Sequence, residues 1–187
     1  MFTKLIVATA VAAFFSTTVH AEPFFAQLVL QGVTFEVESP NDSSINRVTV
    51  RATVSGDSLG EMQAEADGTI TSVEIEDLNA DGYPEIYVYV NSAGSGSYGS
   101  LIAYASNRNK SLSEIYLPSL EDNPEISRGY MGHDEFAVAE GTFLRRFPVY
   151  REVDTNAEAT GGTRQVQYKL EAGEAGWILR QDRVVEF

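Results

Sequence analysis

Apolar and polar residues alternate along most of this chain with a period of two. Val33, Phe35 and Val37 are separated by Thr34, Glu36 and Glu38; Val48, Val50, Ala52 and Val54 by Thr49, Arg51 and Thr53. Ile86, Val88 and Val90 alternate with Tyr87 and Tyr89, and Val166, Tyr168 and Leu170 with Gln167 and Lys169. That period sends successive side chains to opposite faces, so each segment predicts a strand half in a core and half in water. Residues 101–105 predict a further strand. Turn-forming clusters punctuate the pattern at 39–42, 55–57, 66–68, 140–141 and 160–162. The expected fold is therefore all-β: an antiparallel β-sandwich with short helical turns in connecting loops, near 117–123 and 156–159. No internal repeat and no long linker divides residues 22–187, which read as a single domain.

The first 21 residues read differently. Lys4 precedes an apolar run too short to span a bilayer, and Val19-His20-Ala21 ends it ahead of Glu22-Pro23. This is the three-part pattern of a secretory signal peptide, with cleavage expected after Ala21. The chain has no cysteine, hence no lipid-attachment site and no disulfide. The expected product is a soluble periplasmic protein stabilised by burial and backbone pairing alone. The formal net charge is −14, and losing Lys4 makes the remainder more acidic still. Such a surface disfavours nucleic acid and anionic membrane as partners and draws in cationic ones.

Several chemistries are closed to this chain. Beyond residue 21 it holds one histidine, His133, so zinc sites built from His and Cys are excluded, as is a cysteine nucleophile. No serine sits in a G-x-S-x-G elbow, and no glycine-rich phosphate loop precedes a helix. A pair of carboxylates working as in a glycoside hydrolase remains possible on composition, because acids are abundant. An enzyme is the weaker class.

Two loops carry the remaining chemistry. In the first, Asp77, Asn79, Asp81 and Glu85 place oxygen donors at positions 1, 3, 5 and 9, with Gly82 at the turn. That is the start of a calcium loop, but Val88 stands where an EF-hand places its bidentate glutamate, and Pro84 excludes an exiting helix. An Asx-type turn explains the same residues and is preferred, with calcium as the alternative. No cofactor is otherwise expected. The second loop, residues 91–100, is long for a hairpin and carries Gly94, Gly96 and Gly99 among Ser95, Ser97 and Tyr98. Its hydroxyls and its single aromatic suit a protein-binding loop.

Ser95-Gly96-Ser97-Tyr98 resembles the Ser-Gly-x-Tyr loop of bacterial periplasmic inhibitors of invertebrate-type (I-type) lysozyme. The stretch 77–89 resembles that family's approach to the loop. Further segments that resemble the family are Gly132-His133-Asp134, the segment from Arg145 through Phe147 to Tyr150, Asp154-Thr155-Asn156, residues 160–165 and Gly176-Trp177. The resemblance spans residue 77 to the C-terminus. It implies a β-sandwich homodimer that is not an enzyme, with I-type lysozyme as partner and evasion of host defence as purpose. It also implies that Ser95 and Tyr98 enter the lysozyme cleft and hydrogen-bond its catalytic carboxylates. Arg145, Arg146 and Arg164 are expected in internal ion pairs and Trp177 in the core. The competing reading is a periplasmic calcium-binding β-domain with another protein partner.

Overall fold

The computed structural model describes residues 22–174 and 176–187. The expected signal peptide lies outside the described residues. Four strands, β1 (Phe24–Leu30), β2 (Val33–Ser39), β3 (Ile45–Val54) and β4 (Asp57–Asp67), form an antiparallel meander in chain order. The other eight are β5 (Thr69–Glu76), β6 (Glu85–Asn91), β7 (Gly99–Ser106), β8 (Leu112–Tyr116), β9 (Glu135–Ala139), β10 (Thr142–Pro148), β11 (Thr163–Ala172) and β12 (Trp177–Glu186). They make one sheet in the order β5-β6-β7-β8-β12-β11-β10-β9. Its pairings are antiparallel except at the seam between β8 and β12, where Ile115 and Tyr116 run parallel to Trp177 and Ile178.

The larger sheet curls until its two edges meet. The Val138 N–H of β9 donates to the Glu74 carboxylate of β5 (2.8 Å), and the same carboxylate accepts the Tyr89 hydroxyl. Inside the curl lies one core, built from Tyr87, Tyr89, Ala103, Phe143, Phe147, Val166, Tyr168 and Leu179. The smaller sheet covers the outside of β5 to β7. There Val33, Phe35, Val37, Val48 and Val50 meet Ile86, Val88, Val90 and Tyr104 in a second core. The alternation read in β2 and β3 is this inner face, while Glu36 and Arg51 point outward; Arg51 pairs there with Glu38 (2.8 Å) and Glu61 (2.7 Å).

β6 corrects the half-buried expectation. Every residue from Glu85 to Val90 is buried, because the strand lies between the two cores. Its valines and isoleucine face the small sheet, while its tyrosines fill the curl. A strand with two apolar neighbours gains on both faces, at roughly 1.5–3 kcal/mol for each large side chain removed from water.

The expected helical turn near 117–123 is present as a 3-10 turn at Leu120–Asp122, followed by one α-helical turn, α1 (Pro124–Ser127). The one expected at 156–159 is absent. There Asp154 accepts the backbone N–H groups of Arg151 (2.7 Å) and Thr160 (2.8 Å) and the Thr160 hydroxyl (2.7 Å), gathering the segment into a compact loop instead. Arg145 pairs with Asp134 (2.7 Å) and Arg164 with Glu186 (2.6 Å), as expected; Arg146 instead donates to the Gln165 amide oxygen. Trp177 packs against the curled core.

Candidate functional site

β6 carries one of the two chemistry-bearing loops at each end. Upstream, residues 77–84 connect β5 to β6. Downstream, residues 92–98 connect β6 to β7. The downstream loop is shorter than the ten-residue span suggested, because Asn91 pairs with Gly99 and Val90 with Ser100.

Within the downstream loop, the Ser92 N–H donates to the Tyr98 carbonyl (2.9 Å) and the Tyr98 N–H to the Ser92 hydroxyl (3.0 Å). The Ser97 N–H closes a turn on the Gly94 carbonyl (3.0 Å). Ser97 itself takes the left-handed conformation at φ 44°, which non-glycine residues adopt only when neighbours impose it. Those neighbours come from the segment between α1 and β9. The His133 N–H donates to the carbonyls of Gly96 (2.7 Å) and Ser97 (3.2 Å). At Gly132, with φ 89°, a Cβ would lie 2.0 Å from the Gly96 carbonyl oxygen, so the two backbones touch only because that side chain is missing. A Cβ at Gly96 would fall 2.5 Å from the Tyr98 ring.

The segment that supports the loop is anchored by a buried ion pair. Asp134 accepts from Arg145 Nε (2.7 Å) through Oδ1, and from the Gly99 N–H (2.7 Å) and the Tyr130 hydroxyl (2.5 Å) through Oδ2. Arg145 Nη2 also donates to the Tyr130 hydroxyl (2.8 Å), and its guanidinium lies 5.1 Å from the Tyr130 ring centre and 5.5 Å from that of Phe136. Burial alone would lower the Arg145 pKa, but Asp134 first, with Tyr130 and Tyr168, reverses this and the group is held above its ordinary value. The Tyr98 ring then stands edge-on against Tyr130, with centroids 5.6 Å apart.

The loop therefore faces outward, against the 130–134 segment. Ser95 is exposed and Tyr98 is 48 % exposed, while Gly96 and Ser97 are partly covered. No charged side chain occurs between residues 92 and 98. A recess runs alongside, lined by Ser95, His133, Tyr150 and Asn156, with the His133 and Tyr150 rings 6.4 Å apart. The structure thus brings all four loop residues named from the sequence to one exposed tip. Sequence reasoning tied neither Tyr130 and Asp134 nor Arg145 to that tip; the Gly132-His133-Asp134 likeness was the available signal.

The upstream loop is organised from within. Asp77 accepts the N–H groups of Asp81 (2.9 Å) and Gly82 (2.9 Å), Asn79 accepts that of Asp81 (3.0 Å), and Asp81 accepts that of Tyr83 (2.9 Å). These are the bonds of the expected Asx-type turn. Gln31 adds one donor to Asp77 (2.7 Å) from outside. Carboxylate oxygens of Asp77, Asp81 and Glu85 lie within 4.8 Å of one another. Glu85 is 1 % exposed and accepts the Leu78 N–H (2.8 Å). Burial pushes its pKa up to about 8, with the charges of Asp77 and Asp81 adding to the rise against the pull of the Leu78 bond.

Comparison with known proteins decides the family. Residues 51–123 match the family described as periplasmic lysozyme inhibitor of I-type lysozyme. This span includes both loops around β6; it begins upstream of the resemblance read from the sequence and ends before the 132–134 segment. Among solved structures, Aeromonas hydrophila PliI in complex with Meretrix lusoria lysozyme is 32% identical over 49% of this chain and 80% of that one, with a TM-score of 0.43. The chain belongs to this family of I-type lysozyme inhibitors. PliI-Ah, the periplasmic lysozyme inhibitor of I-type lysozyme from the same organism, is likewise 32% identical, over 49% and 84% of the two chains, with a TM-score of 0.44. The assignment rests on sequence identity over most of each inhibitor's length. The family is one of inhibitors, not enzymes. A search of curated proteins returned no match. Among the described residues, no helix is long and apolar enough to cross a membrane.

Proposed function

We propose that this protein inhibits I-type lysozyme by inserting the Ser95-Gly96-Ser97-Tyr98 tip into the enzyme's active-site cleft, where the Ser95 and Tyr98 hydroxyls donate to the catalytic carboxylates. The observation that supports this most is the tip itself: exposed, uncharged, and held on one side by Gly132 and His133. A glycosidase cleft is flanked by two carboxyl groups. An acidic intruder would be repelled there, whereas a hydroxyl makes a charge-assisted bond without adding like charge. Gly96 keeps the tip thin enough for a groove shaped to a sugar chain. The net charge of −14 lies elsewhere on the molecule and speeds approach to a cationic enzyme.

The test is a titration of the purified protein into I-, C- and G-type lysozymes, following lysis of cell-wall substrate. Stoichiometric loss of I-type activity alone is the expected result; retained activity of all three at micromolar protein contradicts the proposal.

The 77–85 loop serves this design as a self-contained turn, closed by its own side chains on its own backbone donors. Export through a signal peptide cleaved after Ala21 would place the inhibitor beside the peptidoglycan it protects. A homodimer follows from the family resemblance, and light scattering of the mature protein checks it.

A further inference from the structure

We propose that Asp134 and Gly132 are positioning residues that fix the 92–98 loop in its inhibitory shape before any lysozyme is met, an inference that rests on the loop being the inhibitory element. Asp134 reaches the loop through the Gly99 N–H (2.7 Å), at the point where the chain leaves the tip and enters β7. Its side chain is fully buried and that of Arg145 is 8 % exposed, so neither can turn to water for a substitute partner.

The charge matters as well as the shape. All three groups facing Asp134 are donors: Arg145 Nε, the Gly99 N–H and the Tyr130 hydroxyl. A carboxylate accepts all three. The isosteric amide of asparagine turns one acceptor into a donor pointed at another donor, and leaves Arg145 without its counter-charge. The pull of Asp134 on Tyr130 also sets the wall against which the Tyr98 ring stands. Gly132 acts on the other flank, where its bare backbone admits the Gly96 carbonyl and lets His133 bond Gly96 and Ser97. A loop so held loses little freedom on docking, which is where a glycine- and serine-rich tip would otherwise forfeit affinity.

The experiment compares Asp134→Asn, Gly132→Ala and a control, Val50→Ala, placed in the core between the two sheets and away from the loop. Amide hydrogen exchange of Tyr98, Gly99 and His133 is measured in the free protein, together with the dissociation constant for an I-type lysozyme and global stability. Both loop variants are expected to speed exchange at these amides and weaken binding by about tenfold or more. Val50→Ala, at equal or greater loss of global stability, should leave both unchanged, which a merely structural role would not allow. Gly132→Ala spares the ion pair, so it decides the matter if Asp134→Asn fails to fold. Wild-type exchange in Gly132→Ala, or fast exchange with unchanged affinity, overturns the proposal. If Ser95→Ala and Tyr98→Ala leave inhibition intact, the functional reading fails instead, and the exchange rates still report on the clamp.

Discussion

The two loops at the ends of β6 solve the same problem in opposite ways. The 77–85 loop holds its shape with its own side chains: Asp77, Asn79 and Asp81 bond backbone groups two to five residues away. The 92–98 loop is closed at its base by Ser92 and Tyr98 and is then held from outside by residues far along the chain, Gly132, His133 and Asp134, with Arg145 behind them. The first spends its polar side chains on the turn. The second leaves the Ser95 and Tyr98 side chains exposed, because a remote segment carries the structural duty. A recognition tip benefits from being built from outside, since groups that need not hold the loop together are available to a partner.

The largest test of that contrast is Arg145→Ala. It strands a buried Asp134 charge and should cost about 3–5 kcal/mol in urea denaturation, as for other broken buried pairs. An effect near zero would mean that the loop's support is not the ion pair.

Next is pH. Glu85 holds its proton to about pH 8 in the fold, against an ordinary value of 4.5. The native state therefore binds more protons than the unfolded chain across that window. The group's contribution to stability is full below the unfolded value and is lost as pH rises through the folded one. Glu85→Gln, neutral throughout, should flatten this decline in melting temperature between pH 5 and 8; a parallel decline in wild type and variant would contradict the assignment.

Asp77→Ala should be milder than Arg145→Ala, at about 1 kcal/mol, because it removes exposed hydrogen bonds that water can replace. A loss as large as that of Arg145→Ala would erase the distinction between the two loops. Smallest is the response to calcium. A self-contained turn should melt within about 1 °C in calcium and in chelator, whereas binding of an ion to the native state alone would raise the melting temperature with concentration. Such a rise would make the upstream loop a metal site.

The same contrast explains what the sequence reveals. The Asx turn is legible because its bonds span a few residues and its residue types declare them. In the small sheet β2 and β3 are legible because residues such as Val33, Phe35 and Val37 have a core on one side only, whereas β1 and β4 are not read from the sequence. β6 misleads: Tyr87 and Tyr89 look like an outward face, yet both are buried, with their hydroxyls taken up by Glu85 and Glu74. A tyrosine's polar tip does not reveal whether water or a carboxylate receives it. The clamp on the 92–98 loop is illegible for a different reason. Asp134 and Arg145 meet the loop only after the large sheet has curled, and no local pattern encodes that meeting.

In the proposed function the downstream loop, and not the upstream one, stops the lysozyme. The direct measurement is the inhibition constant against an I-type lysozyme for two double variants, Ser95→Ala/Tyr98→Ala and Asp77→Ala/Asp81→Ala. Losing two charge-assisted hydrogen bonds should weaken inhibition by roughly 100-fold in the first, at about 1.5–3 kcal/mol each with partial compensation. The second should inhibit like the wild type. Unchanged inhibition in the first, or its loss in the second alone, would contradict the account.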